Sequence, residues 1–116
     1  MLRLISATPS PYARKVRIAL IEKNIPFELI TEVPWNQGAI TEQHNPLAKL
    51  PVLILEDGSS IFDSRFILEY LELIYPQTPM LFSEVPERLM AKKLEVLADG
   101  ICDAVVLVFF ERMRGD

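Results

Sequence analysis

The apolar runs Leu2 to Ile5 and Phe27 to Ile30 bracket a segment with helical periodicity, and that arrangement leaves few folds open to the chain. Between them, Ala7-Thr8-Pro9-Ser10-Pro11 is rich in turn formers. Ser10 suits a helix cap and Pro11 the first helical position, after which Tyr12, Val16, Ala19 and Leu20 recur at i, i+4, i+7 and i+8. The spacing predicts a helix that ends near Asn24, ahead of Pro26. Two strands joined by a crossover helix lie parallel in one sheet, because a direct turn cannot connect them. The first strand is expected to be central.

Thr31 to Pro46 has little periodicity; Pro34, Trp35 and Gly38 mark a loop, and Ala39 to His44 reads as a short helix. Pro51 opens a strand over Val52-Leu53-Ile54-Leu55, closed by Glu56-Asp57-Gly58, and Ser59 to Phe62 returns as its hairpin partner. Ile67, Leu68, Leu71, Ile74 and Tyr75 then predict a helix over 64–75 that Pro76 stops. The order β-α-β-(α)-β-β-α predicts an α/β, thioredoxin-like fold over residues 1–76, a four-stranded mixed sheet with helices on its faces. Pro76, Pro79 and Pro86 place a linker at 77–85. Beyond it, Leu89 or Met90, Leu94, Leu97, Ile101, Val105 and Val108 predict one helix of about 29 residues, or about 43 Å, weakened at Gly100 by about 1 kcal/mol relative to alanine. The stretch Val105 to Phe110 is apolar on every side, so this helix needs partners that 116 residues do not supply. The expectation is the first helix of an incomplete all-helical domain over 86–116.

Composition narrows the function. A net charge of −4 gives no overall attraction to phosphate backbones or anionic membranes, so nucleic acid and membrane partners are not expected. The local cluster Arg14, Lys15, Arg17 and Lys23 reads as the solvated face of the first helix, with anion steering as a second reading. Cys102 is the sole cysteine, which rules out an intrachain disulfide, a CxxC pair and a cysteine-rich metal site, and fits a reducing cytosol. His44 has no Cys or His at ligand spacing, so no metal is expected. Met1 to Ile5 is too short for a signal peptide and Val105 to Phe110 too short to span a bilayer, which predicts a soluble cytoplasmic protein.

Three separated segments carry candidate chemistry. Ser10 sits where a loop meets a helix N-terminus, whose unpaired N–H groups and dipole favour a negative charge such as a thiolate; a plain N-cap is the equal alternative. Pro51, at the head of a strand, leaves the backbone of Leu50 able to turn toward a ligand. Asp63 and Ser64 begin the next helix and either cap it or hold a ligand, Asp63 accepting from an ammonium and Ser64 donating to a carboxylate. Lys49 and Gln43 flank the Asn45-Pro46 turn and reach a second carboxylate, or are simply solvated. One thiolate pocket, one backbone edge and two carboxylate holders together describe a short peptide-like ligand, glutathione.

The segments Ser10-Pro11-Tyr12-Ala13-Arg14-Lys15-Val16-Arg17-Ile18-Ala19-Leu20, Asn45-Pro46-Leu47-Ala48-Lys49-Leu50-Pro51-Val52-Leu53 and Asp63-Ser64 resemble the glutathione-site motifs of cytosolic glutathione transferases. The pattern is most similar to serine-type members, the plant tau class and a bacterial branch. The resemblance implies that Ser10 stabilises the glutathione thiolate for attack on an electrophilic small molecule. It further implies that Leu50 pairs its backbone with the cysteinyl part and that Pro51 is cis. Asp63 and Ser64 would hold the γ-glutamyl end, with Gln43 and Lys49 toward the glycine end. Gln43 departs from the basic residue often found there. Ser6 stands where tyrosine-type classes carry their hydroxyl, so Tyr12 is not their tyrosine. The resemblance also implies a homodimer formed through the helices over 64–75 and 86–114, a role in detoxification, and a chain truncated after the first helix of the second domain. A non-catalytic binding or interaction module on the same fold is the alternative; a glutaredoxin-like redox enzyme would want cysteine at position 10.

Overall fold

The computed structural model describes residues 1–7, 10–32 and 50–114. The expected short helix over 39–44 lies outside them. The chain divides into two compact units, Met1–Met80 and Leu81–Asp116.

In the first unit, β1 (Leu2–Ser6) is followed by α1 (Pro11–Glu22) and β2 (Phe27–Thr31), then by β3 (Val52–Ile54), β4 (Ser60–Phe62) and α2 (Ser64–Ile74). One four-stranded sheet has the order β2-β1-β3-β4, and β1 is internal, as expected, because β3 pairs on the side away from β2. β2 pairs parallel to β1 with Leu4 opposite Leu29, and β3 runs antiparallel with Leu53 opposite Leu4. β4 closes the hairpin antiparallel to β3, with Ile61 opposite Leu53. Gly58 makes the reversal at φ 88, and its N–H donates to Leu55 O at 3.0 Å. The fold is the mixed thioredoxin-like sheet that the element order predicts.

Strand alternation sorts the core onto two faces. Leu2, Leu4 and Leu53 pack with Val16, Ala19 and Leu20 of α1 and Ile67 and Leu71 of α2, so both helices cover one face. Ile5, Val52 and Ile54 form a second buried cluster on the opposite face, with Ile30, Leu50 and Phe62 against it. These residues are the i, i+3, i+4 positions of each helix and the alternate positions of each strand, which is why the apolar pattern of the sequence locates them.

α1 ends in a two-bond cap: the Ile25 N–H donates to Leu20 O and the Asn24 N–H to Ile21 O, each at 3.0 Å, with Asn24 at φ 55. The cap turns Lys23 inward, which corrects the expectation that the basic cluster is uniformly a solvated face. The Lys23 side chain is 2 % exposed and that of Glu72 9 %. Lys23 Nζ donates to Glu72 Oε1 at 2.9 Å, to Tyr75 O at 2.9 Å and to Thr78 O at 2.7 Å, an acceptor for each ammonium proton. Arg14 keeps the predicted exposure, while Lys15 and Arg17 are half-buried.

The second unit contains α3 (Val85–Met113), continuous through Gly100. Pro86 lies in its first turn, where a missing N–H breaks no helical bond. Its apolar residues Leu89, Leu94, Leu97, Ile101, Val105 and Val108 are all more than half exposed. The stripe expected from the sequence is present.

Candidate functional site

The sheet topology gathers the three candidate segments at one end. β1 ends at Ser6, β3 starts there because it is antiparallel to β1, and β4 ends there because it is antiparallel to β3. Ser10 follows the first of these ends, Leu50-Pro51 precedes the second, and Asp63-Ser64 follows the third. The ordering is a property of strand direction and would hold for any loops of these lengths.

Ser10 is the N-cap of α1, at φ −76 and ψ 116. Its N–H donates to Ala7 O at 3.0 Å, and its Oγ accepts from the Ala13 N–H at 3.1 Å. The cap and the thiolate-site readings therefore coexist. Capping uses one oxygen lone pair, and the hydroxyl proton can still be donated to an anion. The bond to Ala13 fixes the oxygen beside the positive end of the helix dipole, which favours a negative partner.

The Leu50–Pro51 peptide is cis, as the resemblance implies. Pro51 is buried and Leu50 half-buried, so the turn is anchored by its proline.

Asp63 occupies the single residue between β4 and α2. Strand must become helix within that one position, and Asp63 absorbs the change at φ 58, ψ 137, a conformation that a side chain makes costly. Its Oδ1 accepts from the Arg65 N–H at 2.9 Å and Arg65 Nε at 3.2 Å, and its Oδ2 accepts from Arg65 Nη2 at 3.2 Å. The Arg65 side chain holds the Asp63 carboxyl below the usual carboxylate range against partial burial; the Arg65 backbone N–H and the charges of Arg65 and Lys15 add to this. Lys15 belongs to α1, so its influence on Asp63 brings the first and third segments into one electrostatic environment. Ser64 is buried as the first residue of α2.

Gln43 and Lys49 lie outside the described residues. Arg65 is the contributor that sequence reasoning passed over, whereas Lys15 belongs to the basic cluster for which anion steering was the second reading; an arginine just after an N-cap aspartate, able to pair with its carboxylate, is the signal that points to Arg65. Among the described residues, no group of His, Cys, Asp and Glu could hold a metal ion, and no helix is long and apolar enough to cross a membrane.

Residues 9–74 match the glutathione S-transferase N-terminal domain. The chain belongs to the glutathione S-transferase family. Over 113 residues it is 43% identical to the GST-like protein YibF of Escherichia coli, a match covering 97% of this chain and 56% of YibF. A glutathione S-transferase from Methylobacterium radiotolerans, crystallised in complex with glutathione sulfonate, superposes with a TM-score of 0.94 at 61% identity. That match covers 97% of this chain and 53% of the other. The tau-class glutathione S-transferase of mango gives a TM-score of 0.76 at 31% identity, covering 84% of this chain and 45% of its own. Bacterial and tau-class relatives are the branches that Ser10-Pro11-Tyr12 resembles. The chain spans about half the length of these relatives.

Proposed function

We propose that this transferase-family chain binds glutathione at the sheet end described above and stabilises its thiolate through the Ser10 hydroxyl. The observation that carries the reading is the capping geometry of Ser10, which fixes a proton donor at a helix N-terminus. A free thiol titrates near pH 8.5, and lowering it by about two units takes roughly 2.7 kcal/mol of preferential thiolate stabilisation. A charge-assisted hydrogen bond together with the helix dipole is of that size. The thiolate then attacks an electrophilic small molecule by addition or substitution. Binding of glutathione sulfonate by the Methylobacterium relative supports the ligand class.

In this reading Leu50 offers its backbone to the cysteinyl part. Asp63 and Ser64 receive the γ-glutamyl ammonium and carboxylate, and Gln43 and Lys49 lie toward the glycine carboxylate. Residues 1–76 form the glutathione-binding domain, 77–85 a linker and 86–116 the first helix of an all-helical domain. The uncovered apolar stripe of α3 supports a homodimer formed through α2 and α3, and the work is detoxification in the cytoplasm.

Titration calorimetry of glutathione against the chain and its Ser10→Ala and Asp63→Ala variants tests this, with conjugation rates taken on a chain carrying any downstream coding sequence. Binding with conjugation that collapses in Ser10→Ala is the expected result. Binding with no conjugation in the extended chain favours the non-catalytic module, and no glutathione binding removes the enzyme reading.

A further inference from the structure

The Lys23 cluster joins more than two helices. Its ammonium is held by Glu72 from α2, but its other two acceptors, Tyr75 O and Thr78 O, belong to the segment that leaves α2. Glu72 reaches the same segment, its Oε1 and Oε2 accepting from the Met80 N–H at 3.0 and 3.1 Å. Met80 is the last residue of the first unit. The Tyr75 N–H still donates to Leu71 O at 2.9 Å, but residues 76–80, which include Pro76 and Pro79, lie outside helix and strand, so the side-chain bonds of Lys23 and Glu72 help to hold them. Lys23 is itself fixed by the cap at the end of α1, which leaves its side chain little freedom to follow a moving segment.

We propose that Lys23 and Glu72 form a buried latch that clamps residues 75–80 against the first unit and so fixes the point at which the chain leaves it. Without the latch, the segment opens locally while the sheet stays folded. A buried pair of this kind is replaceable by apolar side chains at little cost to the fold, whereas loss of one partner alone strands a buried charge. The separation of latch from fold stability is therefore testable in the double variant Lys23→Met/Glu72→Leu, with Lys23→Met beside it.

Two measurements on the full chain decide the matter: native-state cleavage by chymotrypsin after Leu81 and Phe82, and amide exchange of Ile5 and Leu53 in the sheet. In the double variant, cleavage is expected to be at least tenfold faster than in the parent chain, with the sheet amides within about threefold of their parent rates. Unchanged cleavage in a folded double variant overturns the latch. Cleavage that rises only in step with exchange in the sheet overturns it too, since the pair then serves overall stability alone.

Discussion

Asp63 carries both backbone strain and a proposed ligand contact, and replacing it separates the two. At φ 58 and ψ 137 its Cβ costs about 1–3 kcal/mol, which glycine would relieve. Removing the carboxylate costs about 1 kcal/mol of capping in Asp63→Ala and only a few tenths in Asp63→Gly. The Arg65 pair, with both side chains more than half exposed, is worth about 0–1 kcal/mol and is lost in both variants. Glycine adds unfolded-state entropy of about 0.4–1 kcal/mol. The common loss cancels, leaving Asp63→Gly more stable than Asp63→Ala by about 2 kcal/mol, or about 1 M in the urea midpoint for a slope near 2 kcal/mol/M. Both variants lose the acceptor for the ligand ammonium, so glutathione affinity falls by roughly 10- to 100-fold in each. Equal midpoints, or a more stable Asp63→Ala, would refute the strain argument; unchanged affinity in both would remove Asp63 from the ligand site.

The other predictions concern the cap, the hairpin, the core and acid stability. Ser10→Ala loses about 1 kcal/mol of helix capping and about 100-fold in conjugation rate, whereas Ser10→Thr keeps the cap; equal rates for the parent and Ser10→Ala would exclude the hydroxyl from the chemistry. In Gly58→Ala the added methyl meets nothing within 4 Å, yet at φ 88 it is expected to cost about 1–2 kcal/mol in denaturant titration. Leu53→Ala, at a fully buried position in the middle of the sheet, is expected to cost about 2–5 kcal/mol in the same titration. Because the folded Asp63 carboxyl titrates below its unfolded value, its contribution is complete above about pH 4 and is lost as pH falls through the lowered value. Acid unfolding of Asp63→Asn should therefore show a shallower fall in stability below about pH 4, and identical acid limbs would contradict the assignment.

The sheet and its helices were legible because their signals are local. Val16, Ala19 and Leu20 announce a helix face, and Leu2 and Leu4 a strand face, without reference to distant residues. The site was legible as separate pieces, and strand direction brought them to one end. Ser10 looked like a choice between cap and thiolate donor because sequence reveals the residue type and not the division of its lone pairs and proton. Lys23 was misread for a different reason: its acceptor Glu72 is 49 residues away, and nothing near position 23 announces a buried partner. The strain at Asp63 was equally hidden, since only the folded strand-to-helix junction shows that one residue must make the turn.

The central claim is that the Ser10 end of the sheet stabilises a glutathione thiolate, and ultraviolet titration of the bound thiol tests it most directly. With glutathione saturating the chain, the thiol is predicted to titrate near pH 6.5, about two units below its free value, and to return toward 8.5 in Ser10→Ala. A bound thiol that titrates near 8.5 in the parent chain, or one left unmoved by Ser10→Ala, would contradict the account.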